Sequence, residues 1–541
     1  MRKRLLLFLL CSFPGFGLFS QEINKHISYT SIYDYLDELA NIHVIELNAV
    51  AKPYSRKFIA AKLHEAEAQP DKLTRRQQKD LVFFLRDYNK ELLPGKNFKR
   101  RLDLFYYKDS LFAFTVNPIL GYSYSANQNG NASHRWNGGE VYGYAGKHLA
   151  FYFSLRDNGI NNVVSTAGYL TPLPGANYKP YQGVNNVRTD FDETRGSISY
   201  GWNWGSVSVM KDNFTWGNNY NGANIFSGLQ PSFAYLSFKM QPVKWFEFNY
   251  IHGGLISMVL DSNRVYGAGS ALRKNFIPKY LAASLATFKP FKSFYISMGN
   301  SIVYADKYIQ PIYLIPFIFY PSADHTMNAS GSNSLGENSQ MFLDISLRCI
   351  PKTHIYGTWF IDELNFGKML DRKKHTNLFS FKAGIRITNL VKNTSLTFEY
   401  TRTHPWSYVH PIASTVFSSN NYSLGHYLGQ NSEEFYAGLK IKPFRGVILD
   451  LGYTVAYKGY TEPFIQVNGV NANVAGTPFL TSYYWSNSSA VARLQFEIIN
   501  DLFVFGGVQL SKIDGLEMNK YTAPFYYGNT TTINFGVNAG F

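Results

Sequence analysis

Cysteine is almost missing from this 541-residue chain, which carries only Cys11 and Cys349. Arg2, Lys3 and Arg4 precede the apolar stretch Leu5 to Leu10, and small Ser20 stands before Gln21, so residues 1–20 read as a secretory signal that is removed. Leu10 is too bulky to precede a lipidated cysteine, and losing Cys11 leaves Cys349 alone, which excludes an intramolecular disulfide and a cysteine metal site. Charge is scarce as well, at 16% of residues against about 25% in a soluble protein. Past the N-terminus no run approaches the roughly 18 consecutive apolar residues of a membrane helix. Enzyme signatures are equally thin. The chain has no His-Glu-x-x-His, Cys-x-x-Cys, Gly-x-Ser-x-Gly or Gly-x-x-x-x-Gly-Lys motif. Glu433-Glu434 and Asp362-Glu363 are neighbours on apparent strands, so each pair points to opposite faces and forms no catalytic dyad. No catalytic residue, cofactor or bound metal is expected.

Aromatic residues fill the space these leave: 43 Phe, 40 Tyr and 8 Trp. Rich in aromatics, poor in charge and lacking a membrane helix, the composition fits a transmembrane β-barrel, where apolar and polar residues alternate instead of forming runs. The last strand has that pattern. Ile533, Phe535, Val537, Ala539 and Phe541 take every second position, with Thr532, Asn534, Gly536, Asn538 and Gly540 between them. Leu449, Leu451, Tyr453, Val455 and Tyr457 alternate in the same way with Asp450, Gly452, Thr454, Ala456 and Lys458, a second face too polar for a dry core.

Only the start of the mature chain has a different period. Ile32, Tyr35, Leu36 and Leu39 follow a helical spacing after the expected cap Ser31. Ser55 is placed to cap a second helix, and Thr74-Arg-Arg-Gln77 has the spacing of a capping box for a third. We therefore divide the chain into a signal (1–20), a helical bundle (21–97), a connector (98–111) and a barrel (112–541). Bundles this small are marginal alone, so this one should pack against the rest of the chain.

Connections within the barrel region set the strand count. Tight turns are expected at Gly146-Lys147, Gly205, 241–243, 289–291, 350–352, 389–393, 443–445 and Asn500-Asp501. Long polar links are expected at about 125–138, 158–194, 215–231, 253–278, 305–338, 363–376, 404–432, 458–489 and 512–529. Short and long links alternate throughout, which predicts eighteen antiparallel strands, an even number as in bacterial barrels. It also puts the short turns and the bundle in the periplasm and the long links outside, in the outer membrane of a Gram-negative cell.

Three segments carry a family resemblance. They are Ile32-Tyr-Asp-Tyr-Leu-Asp-Glu-Leu followed by Lys52-Pro-Tyr-Ser-Arg, then Asp212-Asn-Phe-Thr-Trp-Gly217 leading through Asn224-Ile-Phe-Ser into Pro231-Ser-Phe-Ala-Tyr-Leu, and then Phe398-Glu-Tyr-Thr-Arg402 with Pro405-Trp-Ser-Tyr-Val-His410 and Ser423-Leu-Gly425. Their order and spacing resemble the capsule-assembly Wzi family of outer-membrane barrels. The resemblance implies an eighteen-stranded barrel with a periplasmic helical bundle, and non-enzymatic, lectin-like binding of capsular polysaccharide at the cell surface.

Candidate glycan contacts come from where aromatic and basic residues fall in the outer links. Trp406, Tyr408 and His410 share one parity with His404 if the chain stays extended. Tyr178, Tyr181, Tyr483, Tyr484 and Trp485 offer faces for sugar rings, and Arg188, Arg264 and Lys274 offer charge. The net charge of +15, three units of it in the signal, favours acidic partners, anionic polysaccharide or lipopolysaccharide before nucleic acid; with no block of basic residues to concentrate the field, a dispersed excess of solvated Lys and Arg is the alternative. The other expected partners are outer-membrane lipid, lipopolysaccharide and, through Phe541, the barrel-assembly machinery. The alternative on the same barrel is a porin or substrate channel.

Overall fold

The computed structural model describes residues 22–92, 98–178, 188–267, 273–327, 336–364, 367, 371, 377–464, 466–467, 470–471, 474–481 and 483–540. Three helices come first, α1 (Thr30–Asn41), α2 (Arg56–Glu67) and α3 (Arg75–Leu92). Ser55 caps α2 by accepting from the Phe58 amide at 3.2 Å, and Thr74 and Gln77 form a reciprocal capping box on α3. Ser31 caps nothing: α1 begins one residue earlier, at Thr30, and has no side-chain cap. Leu36, Leu39, Ile59, Leu63 and Leu81 bury the bundle's own small core.

Eighteen strands come after the helices, each antiparallel to its sequence neighbour. They are β1 (Phe112–Asn127), β2 (Gly130–Ala145), β3 (Leu149–Asn161), β4 (Arg188–Trp202), β5 (Gly205–Asp212), β6 (Phe233–Val243), β7 (Phe246–Tyr266), β8 (Arg273–Phe291), β9 (Phe294–Ala305), β10 (Asn338–Leu347), β11 (Thr353–Glu363), β12 (Leu378–Thr388), β13 (Thr394–Thr403), β14 (Ser432–Ile441), β15 (Val447–Gly459), β16 (Tyr483–Ile499), β17 (Leu502–Asp514) and β18 (Gly528–Ala539). The barrel closes where β18 pairs with β1, from Ile533 opposite Ala126 to Ala539 opposite Leu120. Below that point the edge of β1 would be bare. The short strand Phe105–Lys108 covers it, pairing with Ala113–Val116, so the connector protects an edge without adding a wall strand. Ile533, Phe535 and Val537 are 58, 54 and 42% exposed, which makes their face the outer, lipid-side one, while Thr530 and Thr532 are buried toward the lumen. Phe541 lies outside the described residues.

Two expected outer links are instead strand. β1 and β2 run on to a tight hairpin at Gln128-Asn129, and β7 and β8 extend to Tyr266 and from Arg273. Beyond the membrane both faces of such a hairpin meet water, so polar residues occupy both parities and the alternation that marks a strand disappears. Three expected turns also shift: Gly205 opens β5, with its turn at Asn203-Trp204, while Val243 and Phe291 end strands and their turns fall at Lys244-Trp245 and Lys292-Ser293.

The bundle stands across the short-turn mouth and is bonded at or beside every one of the eight short turns. Going round, Lys90 donates to Tyr142, Ser206 to Glu22 and Asn48 to Glu247, and Lys289 pairs with Glu46. The Lys352 amide donates to the Asn41 carbonyl, Arg76 donates to Asn393, Lys442 pairs with Asp34 and Lys25 with Asp501. Burial alone would raise the Asp34 carboxyl, but Lys440, Lys442 and Arg386 outweigh it and hold Asp34 well below the usual carboxylate range.

At the other end, the link between β9 and β10 folds back down the outside of the wall. The single turn Pro311–Leu314 and helix α4 (Tyr320–Met327) lie over Phe248, Tyr250, Ala282, Ile302 and Tyr304, all buried on the barrel's outer face. The Phe317 ring stacks on Phe248 at 4.4 Å. Phe248 is seven residues below Leu255, the β7 position in register through Lys279 with the end of β9, or about 23 Å along the strand. Backbone at that depth needs partners other than water. The wall supplies them: Tyr250 donates to the Tyr313 carbonyl at 2.8 Å, and Asn300 accepts from the Tyr320 amide at 2.8 Å.

Candidate functional site

The segment between β5 and β6, residues 213–232, turns into the lumen and crosses to the opposite wall. Near the bundle, Thr215-Trp216 pairs with Ala51-Lys52, the stretch joining α1 to α2. Trp216 and Phe226 exchange backbone hydrogen bonds at 3.1 and 3.3 Å, which close the segment into a loop. Gly217 and Gly228 bend it with φ of +99° and +70°, and a Cβ on Gly228 would come within 2.8 Å of the Phe214 carbonyl.

The tip of the loop is held by carboxylates of the far wall. Asp344 accepts from the Asn218 amide at 2.8 Å and from its side chain at 2.5 Å. Glu399 accepts from the amides of Tyr220 and Asn221 at 2.6 and 2.9 Å, from Lys382 at 3.1 Å, and from the Tyr356 hydroxyl. Asn221 also donates to Glu434 at 3.1 Å, and Asn224 to the carbonyls of Thr358 and Ser380. Tyr220 donates to Asp37 of α1 at 2.7 Å, so the loop tip also touches the bundle. Glu399, Glu434 and Asp344 are all buried, and in such surroundings each bond to a carboxylate is strong because water cannot replace it. Chemically the arrangement is a clamp: the carboxylates take up amides and one ammonium.

From the other end the link 404–431 descends over the same loop. Tyr408 donates to the Asn224 carbonyl and its ring packs on Phe360 at 4.5 Å. The Ser227 amide donates to the Leu424 carbonyl at 2.8 Å. A Cβ on Gly425 would strike the Tyr408 ring.

This corrects the expected rim face at 404–410. Trp406 and Tyr408 both have φ of +69°, so the chain is not extended and the parity argument fails. Tyr408 is buried toward the lumen, and Trp406 is buried with its indole donating to Thr477 at 2.8 Å and its ring on Phe464. His410 is half-buried against Thr415 at 2.7 Å, and burial lowers its pKa to about 4, so it is neutral at pH 7.

Trp485 is also buried, donating to Thr522 at 2.7 Å, because β16 starts at Tyr483 and this tryptophan faces inward. Tyr483 is exposed beside Tyr457, and Tyr484 is half-buried and stacked on Tyr460 at 4.9 Å. Arg264 is exposed and 3.4 Å from Asp261, and Lys274 is exposed at the outer end of β8. Tyr178 packs edge-on against Phe191. Arg188 opens β4, and Tyr181 lies outside the described residues. The structure therefore brings Tyr483 and Tyr484 together with Tyr457 and Tyr460, leaves Arg264 and Lys274 on their own hairpin, and buries Trp406, Tyr408 and Trp485.

Sequence reasoning missed the lumen loop, reading 215–231 as an outer link. A signal was present. Residues 213–224 hold five of the chain's asparagines and two of its glycines, a composition suited to backbone bends and amide bonding.

No protein-family model matches the chain, and no curated protein matches it. Solved structures do. The fold is similar to that of Wzi from Escherichia coli. That likeness has a TM-score of 0.57 at 12% identity and covers 97% of this chain and 99% of Wzi, which is described as a carbohydrate-binding β-barrel involved in group 1 capsule assembly. OccAB2 of Acinetobacter baumannii matches with a TM-score of 0.43 at 9% identity over 80% of this chain and 99% of its own. OprD of Pseudomonas aeruginosa matches at 0.40 and 10% over 79% and 92%. The likeness to Wzi is one of fold, and the fold shared is a closed antiparallel barrel of eighteen strands. The three motif segments supply α1 and its link to α2, the lumen loop, and the residues that clamp it.

Proposed function

We propose that the protein is a closed outer-membrane barrel that holds surface polysaccharide without chemically altering it, its bundle in the periplasm and its long links outside. One observation carries this reading over the channel alternative: the bundle is bonded around all eight short turns while a second segment crosses the lumen on buried carboxylates. That leaves the outer loops as the working surface. The stacked Tyr460–Tyr484 pair beside Tyr483 offers ring faces to sugars, and Arg264 and Lys274 offer charge to uronate or phosphate groups. Each contact would be weak, and retention would come from many loops engaging one polymer.

The test is retention of acidic cell-surface polysaccharide by the purified barrel and by cells with and without it. Cells lacking the protein should shed polymer into the medium, and Tyr460→Ala with Tyr484→Ala should shed an intermediate amount. Unchanged retention in both would reject the proposal. Large, steady conductance steps from the purified protein would favour the channel.

A further inference from the structure

A cleft at the bundle end has no part in polysaccharide retention. Along α3 the exposed Arg75, Lys79 and Val82 face the stretch Lys99–Leu102, and the ends of β16 and of the turn before β15 close the far side. The space measures about 860 Å³. Seven cations line it and no carboxylate does.

Three of the seven are engaged, Arg100 with its guanidinium 4.6 Å over the Tyr106 ring. Arg101 pairs at its back with Asp501 at 2.5 Å, and Arg445 donates to the Glu497 carbonyl at 2.8 Å with its guanidinium over the Phe83 ring. Arg75, Lys79 and Lys99 have no acidic partner among the described residues, and the buried Nε of Arg86 has no hydrogen-bond acceptor among them. Cations gathered this way repel one another unless an anion joins them.

The lip of the cleft says which anion. Leu102 is 76% exposed, and Ile498 and Ile499 stand open at the end of β16. Past a bulge at Ile498, Ile499 opposite Leu502 continues the outer row of that strand through Phe496 and Leu494, the row that faces the hydrocarbon, and Ile498 stands open beside it. A soluble polyanion has no use for this apolar edge. A molecule with a phosphate at one end and acyl chains at the other matches both halves.

We infer that the cleft binds an acidic glycerophospholipid of the periplasmic leaflet, its phosphate among Arg75, Lys79, Arg86 and Lys99 and its chains along Ile499 and Phe496. This rests on the orientation proposed above, with the bundle in the periplasm. A zwitterionic lipid would bring an ammonium into the same field and bind less well. The bound lipid would tie α3 to the leaflet and so help to seat the bundle in the mouth.

The experiment is native mass spectrometry of the full barrel in detergent, with phosphatidylglycerol and phosphatidylethanolamine of identical chains. This readout does not depend on orientation in the cell, which cysteine labelling reports separately. The expected preference for phosphatidylglycerol is about tenfold or more, from roughly fivefold per cation near the headgroup. Arg75→Gln, Lys79→Gln and Lys99→Gln together change only exposed side chains, and heat-modifiable gel migration checks that the barrel still folds. That variant should lose most of the preference while keeping its binding of phosphatidylethanolamine. Equal binding of the two lipids by the unaltered protein, or an unchanged preference in the variant, overturns the assignment. Glycerol phosphate binding as tightly as the lipid would point to a soluble phosphate instead, and displacement of lipid by soluble acidic polysaccharide would point to polymer, either of which also overturns it.

Discussion

Glu399→Gln should loosen the lumen loop without unfolding the wall. The carboxylate receives two loop amides, the Lys382 ammonium at 3.1 Å and the Tyr356 hydroxyl, and both Glu399 and Lys382 are buried. Removing one partner of a buried ion pair costs about 3–5 kcal/mol, because the other charge stays behind uncompensated. The amide oxygen of Gln can still accept from one loop amide, which recovers about 1 kcal/mol. The remaining penalty of roughly 2–4 kcal/mol falls mainly on the loop, since the backbone ladder of β13 with β12 and β14 needs no side chain. At about 1.4 kcal/mol per factor of ten, a 3 kcal/mol loss raises the open-to-closed ratio by roughly a hundredfold. Planar-bilayer recording should show brief openings that the unaltered protein lacks, while gel migration shows an intact barrel. Adding Lys382→Met removes the stranded charge and should restore most of the closure. Silent recordings from a folded Glu399→Gln barrel would refute the clamp, and loss of the folded barrel would mean that Glu399 holds the wall instead of the loop.

Acidification should free the bundle only at low pH. Burial would raise the carboxyls of Asp34, Glu38, Asp87 and Asp501, but neighbouring Lys and Arg outweigh it and hold all four down. Their contribution is therefore complete above the unfolded values near about pH 4 and is lost as pH falls through the depressed folded ones. Hydrogen exchange of α1 and α3, corrected for intrinsic rates, should rise as pH falls below that point; unchanged exchange there would contradict the assignment. The exposed thiol of Cys349 sits beside the turn between β10 and β11 and tests orientation. An impermeant maleimide should leave it unlabelled on intact cells and label it after permeabilisation, whereas a cysteine placed at Asn129 in a Cys349→Ser background should label at once. Phe248→Ala should cost about 3 kcal/mol of packing beneath the outer strap and speed trypsin cleavage at Lys307; unaltered cleavage would mean the strap does not depend on that contact.

Much of the architecture was legible in the residues because each part had a local signature. Alternation in β18 and β15 marked wall strands, and the capping pattern at Thr74 and Gln77 marked α3. What failed did so where the signature depends on surroundings. The hairpin at Gln128-Asn129 lost its alternation in water, and the parity of Trp406 and Tyr408 meant nothing once their backbone turned left-handed. The outer rim was partly readable: Tyr483, Tyr484, Arg264 and Lys274 are exposed or half-exposed at the end where the long links lie, but burial of Trp485 depends on its pairing with Thr522 of a different link.

The sequence by itself determined that eighteen strands and a helical start would form, since period, turn residues and link lengths are properties of short stretches. Only the tertiary structure decided what closes the barrel. Glu399 meets Tyr220 and Asn221 across 178 or more positions of chain, and Asp34 meets Lys442 across the whole barrel. No local pattern records such a meeting. It exists because the closed wall brings far strands within bonding distance of a loop and a bundle that have nowhere else to place their polar groups.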